Sequence, residues 1–342
     1  MVNTGFNRRI FSSAAASLLA LAVPTLHAQP RLEKARLAIG VATKSAIGFL
    51  PLTIADQLGY FKAQGLEVDI GEFAAGSADV VSGSYEQIIR LQSRGQRFQS
   101  FVLQGRTPAI SMGISVKTLP YYRSVVNLKG KKIGVSVLGS VSHRVTSAVL
   151  NRADLKDDDV NFVAVGSGPG ALAALRSGHV DAISNIDPIM TMLEQKGEIH
   201  IIADTRTMKG TVEVFGGPMP AACLYAAAEF VEKNPFTVQA LTNAIVHSLK
   251  WLQTAGPSDI IKTVPDTYLL GDRALYLAVF NKVHESISPD GLMPDDGPRT
   301  VLRSLATSDF SIKPEKIELL RTYSNEFVKK ARDPLQVRRV SA

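Results

Sequence analysis

Apolar positions along this chain come in short runs, each with the period of a strand or a helix, separated by turns that carry glycine or serine. Residues 36–43 (RLAIGVAT) predict a strand, and residues 50–64 an amphipathic helix with Leu50, Ile54, Leu58 and Phe61 on one stripe and Gly65 just past its end. LEVDIGEF (66–73) alternates as a strand does. KKIGVSV (131–137), NFVAV (161–165), VDAIS (180–184) and IHIIAD (199–204) predict further strands. Helices fall between them: one carries Val145 and Val149, and one opens at Pro169 and carries Leu172 and Leu175. Asp187-Pro188 reads as an N-cap followed by a proline at the first helical position. Strands alternating with short helices imply an α/β fold with mostly parallel sheets covered on both faces.

Past about residue 226 the pattern becomes helical. Residues 235–253 carry Phe236, Leu241, Ile245, Leu249 and Leu252; Asp272 caps a helix with Leu275, Val279 and Val283; 314–331 carries Ile317, Leu320 and Phe327. Such helices need a surface to cover. The expected arrangement returns the chain to its first half through a strand at 218–226. Lobe one is then 31–115 plus 218–342, and lobe two is 116–217. Crossings at 115–125 and 210–218 form a hinge, and a ligand sits in the cleft between the lobes.

The first 28 residues differ from the rest. Arg8 and Arg9 precede an apolar run from Ile10 to Val23, followed by TLHA-Q, and no acidic residue occurs before Glu33. This is the layout of a secretory signal peptide over residues 1–28, cleaved after Ala28. The run is shorter than the ~20 residues that span a bilayer. NRRIF (7–11) also resembles a twin-arginine signal, so Sec and twin-arginine export both remain open. The mature chain is thus expected in the periplasm. Without Arg8 and Arg9 it has 36 basic and 31 acidic residues, and a surplus that small, with no basic block among aromatics, argues against nucleic acid. Cys223 is the single cysteine, which excludes an internal disulfide or a cysteine metal cluster.

Several segments together are similar to one family: LPLTIADQLGYFKAQGLEVDI (50–70), GSADVVSGSYEQIIRLQSRG (76–95), LKGKKIGVSVLGSVSH (128–143), ALAALRSGHVDAISNIDPIMTMLE (171–194) and PAACLYAAAEFVEKNPFTVQAL (220–241). In this order they resemble the periplasmic substrate-binding proteins of ABC importers for sulfonates, taurine and nitrate, a branch that includes binders of thiamine-pyrimidine precursors. The resemblance implies a type II periplasmic-binding fold, a small-molecule ligand, a permease of the inner membrane as partner, a monomer, and no cofactor. The expected ligand is a small organic anion. Alternatives are a pyrimidine-precursor or aromatic-compound binder, a pyrimidine synthase on the same fold, and a periplasmic sensor input. The synthase uses a cysteine-rich segment that is absent here. One departure stands out: only Ala74 to Ser77 separate the predicted strand LEVDIGEF (66–73) from ADVV, too few for a crossover between neighbouring parallel strands.

Candidate ligand contacts follow from where strands end. Unpaired N–H groups at a helix start attract negative or polar groups, which singles out LGSVSH (138–143) with Ser140, Ser142 and His143. Each could equally cap or solvate the helix. GSGPG (166–170) lacks the spacing of a dinucleotide loop but could offer backbone donors at Gly166. Asn185 and Asp187 end the VDAIS strand, where α/β sheets place ligands and where the resemblance puts one. Ser45, Ser84 and Tyr85 complete the set from lobe one. The histidines are scattered without an HExxH spacing, no GxSxG elbow occurs, and Cys223 lies in an apolar strand, so binding is expected in place of catalysis and no metal ligands are assigned.

Overall fold

The computed structural model describes Met1 and residues 31–41, 44–72, 76–309 and 311–332. The expected signal segment lies outside these residues, apart from Met1. Among the described residues ten strands run β1 Arg36–Val41, β2 Glu67–Gly71, β3 Val80–Ser84, β4 Phe98–Leu103, β5 Ile110–Ser115, β6 Lys132–Val135, β7 Asn161–Ala164, β8 Ala182–Ile186, β9 Ile199–Asp204 and β10 Ala222–Ala227. They form two five-stranded sheets, ordered β2-β1-β3-β10-β4 and β7-β6-β8-β5-β9. Each is parallel except for one strand: β10 runs antiparallel to β3 and β4, and β5 antiparallel to β8 and β9. The α/β class with two sheets follows the expectation.

The helices are α1 Leu50–Gln57, α2 Tyr60–Ala63, α3 Tyr85–Ser93, α4 Val141–Asn151, α5 Pro169–Ser177, α6 Ile189–Gln195, α7 Met208–Phe215, α8 Ala228–Lys233, α9 Pro235–Thr254, α10 Pro257–Thr263, α11 Arg273–Val283, α12 Gly297–Ser308 and α13 Glu326–Arg332. The single helix expected over 50–64 is two, because Gly59 takes φ 71° between them. The helix expected over 314–331 is mostly not one. Residues 322–324 are drawn out to exchange backbone bonds with Ser100 on the edge of β4 (Ser100 N–H to Thr322 O, 2.9 Å; Ser324 N–H to Ser100 O, 2.8 Å), which leaves Leu320 exposed and confines the helix to α13.

The short link between β2 and β3 is explained by register. Both strands pair with β1 from opposite sides, and β3 meets only its last three residues, Ile39 opposite Val80 to Val41 opposite Ser82. Gly71 ends β2 opposite Gly40. The chain therefore needs to step back about one residue and across two strand spacings, roughly 10 Å, instead of returning along a whole strand. It passes close over Gly40, where a Cβ would lie 3.1 Å from that of Ala78. Asp79 fixes its end, accepting the Ala38 N–H at 2.9 Å and pairing with Lys34.

The division of the chain differs from expectation at one strand. ISMGIS (110–115), placed in lobe one, is β5 of the second sheet, with all six residues buried between β8 and β9. The first crossing is accordingly 104–109 and not 115–125. The second follows α7, at 216–221. One core packs α1, α9 and α13 on the first sheet, and another packs α5 and α6 on the second. A third is shared: Tyr85, Ile88 and Ile89 of α3, Val145 and Val149 of α4, and Val301 and Leu305 of α12 form one cluster with Leu103, Ile110 and Met112. Helix α12, from the C-terminal region expected to coat only the first lobe, thus packs against both α3 and α4 and joins the halves.

Candidate functional site

Where the two crossings meet, the backbone is paired tightly. Gln104 and Gly105 N–H both donate to Ala222 O (2.7 and 2.9 Å), and Ala221 N–H donates to Gly105 O (2.9 Å). Tyr85 N–H donates to Ala221 O (2.7 Å), and Arg106 N–H to Ser286 O (2.8 Å). Ala109 holds a φ of 55°, unusual for a residue with a Cβ, just before the chain enters β5.

These segments enclose a cavity of about 760 Å3, counting the mouth open to solvent. Strand β3 contributes Ser84 and helix α3 Glu86; the crossings contribute Gln104, Thr107 to Ala109 and Met219 to Ala221. Gly48, Phe49, Val141, Ile287 and Val301 close it. The wall is chiefly apolar, with a few polar groups. Gln104 is fully buried, its Nε2 donates to Ser82 Oγ at 2.9 Å, and its Oε1 has no partner. Thr107 is 2% exposed and its hydroxyl also lacks one. Buried polar atoms without partners are uncommon in native proteins and call for a ligand or water to satisfy them. The one charged side chain among the described residues of the wall is Glu86, which meets Arg144 of α4 in a buried ion pair across the two halves.

Of the residues singled out from sequence, Ser84 lies on this wall. Its neighbour Tyr85 does not: the ring is fully buried, the hydroxyl bonds Thr322, and burial raises its pKa. Ser45 is exposed beyond β1, and Gly48 and Phe49 take the place on the wall expected of it. In the LGSVSH loop the wall residue is Val141. Ser140 caps α4 and Ser142 is buried, and their hydroxyls bond each other and Ser136 Oγ at 2.9–3.1 Å. His143 faces β7, its ring tilted 57° against that of Phe162 with centroids 4.0 Å apart. Its Nδ1 accepts the Gly139 N–H at 2.8 Å, which leaves the proton on Nε2, 3.6 Å from Asp157. Burial lowers its pKa against an opposing pull from Asp157, and Arg144 lowers it further.

The remaining candidates tie strand ends together. Asn185, fully buried, donates from Nδ2 to Gly166 O (2.8 Å) and accepts the Ile186 N–H. Gly166, at φ 72°, donates to Ser136 O (3.0 Å). The N-cap of α6 is Pro188 and not Asp187, so the expected cap and first helical position each lie one residue too early; from just before the cap Asp187 still accepts the Thr191 N–H (2.8 Å), and it pairs with Arg206. Arg206, passed over in the sequence, is 1% exposed and is held by Asp187, Asp204 and Glu194. Loops 136–143, 166–170 and 185–187 therefore do gather at one sheet edge, with their side chains turned to each other.

Similarity to known proteins follows this architecture. A solved structure from Bordetella bronchiseptica RB50 is 49% identical, with 88% of this chain and 98% of that one covered at a TM-score of 0.78. The periplasmic aliphatic sulphonate binding protein SsuA from Escherichia coli is 21% identical, covering 84% and 91% of the two chains at a TM-score of 0.63. The desulfurization enzyme DSZB is 18% identical, covering 87% and 99%, also at 0.63. The fold is thus shared by binding proteins and by an enzyme. Among the described residues, no helix is long and apolar enough to cross a membrane. Residues 46–257, which hold the crossings and most of the cavity wall, match one family's sequence profile, and the chain accordingly belongs to the family described as NMT1/THI5 like.

Proposed function

We propose that the chain is the periplasmic solute-binding component of an ABC importer, and that it captures a small organic molecule in the cavity at the two crossings. The observation that carries this is a cavity with apolar walls and unpaired polar atoms on Gln104 and Thr107. An apolar wall with a few placed polar groups is the makeup of small-molecule sites. A sulfonate or taurine-like solute would set its organic tail against that wall, and so would an aromatic or pyrimidine-like one. Partners are then the solute and a permease, and the chain acts as a monomer.

Binding, not turnover, is the reading favoured here. No nucleophilic thiol faces the cavity: Ala222 is on the wall, and the next residue of β10, Cys223, points to the opposite face. That thiol is fully buried, and burial pushes its pKa up to about 12, partly countered by Ser100.

Thermal-shift screening of the mature protein against sulfonates, pyrimidines and aromatic acids and amides tests the proposal. A ligand at 100 times its Kd stabilises by about 2.7 kcal/mol, a rise of several degrees in Tm. Val141→Trp, at a half-buried wall position, should abolish that rise while leaving the Tm of the free protein nearly unchanged. A rise that survives Val141→Trp, or hydrolysis of a hit by the purified protein, would sink the proposal.

A further inference from the structure

We infer that Glu86 and Arg144 set the charge class of the solute, so that the cavity takes uncharged organic molecules and turns away those with a net negative charge. The inference rests on the cavity being the solute site. Glu86 stands in the first turn of α3, on the first sheet, and is 8% exposed. Arg144 stands in α4, on the second sheet, one turn after the wall residue Val141, and is 4% exposed. Its Nη2 meets the Glu86 carboxylate and its Nη1 donates to Gly139 O at 2.7 Å. One buried cation is thus matched by one buried carboxylate, and of the two it is the carboxylate that reaches the wall.

A sulfonate or carboxylate entering the cavity would lose its water and come up against Glu86, with both Nη groups of Arg144 already engaged. Like charges brought together away from water repel strongly. Three further cations are likewise committed: Arg106 donates to Glu285 O at 2.7 Å, Arg90 pairs with Asp309, and Lys282 pairs with Glu194 at 2.7 Å. An uncharged solute with N–H or O–H groups meets no such opposition. It finds acceptors in the Glu86 carboxylate and Gln104 Oε1, and hydroxyls on Ser84 and Thr107.

The test uses two matched pairs of probes, benzenesulfonamide with benzenesulfonate and benzamide with benzoate, titrated calorimetrically into the full mature chain at neutral pH. The wild type should bind the uncharged member of each pair at least about tenfold more tightly. Glu86→Gln, which keeps the shape and frees the guanidinium, should reverse the ranking, and Arg144→Met added to it should remove the preference for the anion. A wild type that binds an anionic member as tightly as its neutral partner overturns the inference and leaves the cavity reading standing. A folded Glu86→Gln with no gain for the anions overturns it as well. If Glu86→Gln does not fold, the wild-type ranking decides alone. If no probe binds any of these proteins, the cavity reading itself falls, and this inference with it.

Discussion

Arg206 offers the sharpest energetic test, because its side chain is the largest of those buried to within 2% of full. Its Nε donates to Asp204 Oδ1 at 2.8 Å and its Nη2 meets Asp204 Oδ2 at 2.7 Å; Nη1 lies 3.3 Å from Asp187 and Nη2 3.4 Å from Glu194. Burial works against the charge, but the Asp204 hydrogen bonds and the charges of Asp187, Asp204 and Glu194 outweigh it and raise the pKa. In Arg206→Met the volume is nearly kept and the cation is lost. Asp204 and Glu194, with side chains 32% and 28% exposed, can take up water in its place. Asp187, at 1%, cannot. Stranding one member of a buried pair costs about 3–5 kcal/mol. Adding Asp187→Asn removes the stranded charge while keeping an oxygen for the Thr191 N–H. The double variant should therefore be more stable than Arg206→Met alone, with a coupling of about 0.5–3 kcal/mol. Urea unfolding followed by circular dichroism measures all three. A loss below about 1 kcal/mol for Arg206→Met, or strict additivity with Asp187→Asn, would refute the account.

Two further predictions concern α7 and two buried histidines, one in each half of the molecule. At Gly210, in the first turn of α7, a Cβ would lie 1.9 Å from the backbone oxygen of Asp204, so Gly210→Ala must push α7 away from β9; a loss at or above the upper end of the about 1–3 kcal/mol typical of overpacking is expected in the same urea assay. His143 and His247 both have pKa values lowered by burial, helped by Arg144 and Lys250 respectively, so the folded state prefers their neutral forms. Their stabilisation is complete above the unfolded value of about 6.5 and is lost as pH falls through it toward the folded values. Tm should thus drop between neutral pH and about pH 5, before carboxylates titrate, and His143→Gln should flatten that part of the profile.

The repeating strands and the α/β class were legible because each strand of the second half is a short apolar run closed by glycine, serine or aspartate. What escaped was positional. FQSFVL and ISMGIS do not stand out as strands because the polar break QGRTPA between them reads as one more loop, yet those six residues are the first crossing and bring Gln104 and Thr107 to the cavity. The rule that ligands sit at strand ends points to loops 136–143, 166–170 and 185–187, of which Val141 alone reaches the cavity wall, and it does not say whether a serine there faces a solute or its neighbours; Ser140 and Ser142 face each other. Glu86 lay one residue from the chosen Tyr85. Helix N-terminal acids are ordinary, and nothing local marks a partner 58 positions away. Arg206 was invisible for the same reason, since three acids converge on it from two strand ends and a helix.

The position of β10 has a consequence for synthesis and assembly. The second sheet is built wholly from one uninterrupted stretch, Ile110 to Asp204, and can form as soon as that stretch is available. The first sheet stays split, with β3 and β4 lacking the strand that joins them, until Ala222–Ala227 has been made and has come back. The half nearer the N-terminus is therefore the later one to mature, and the cavity, walled partly by Met219 to Ala222, is completed by that return.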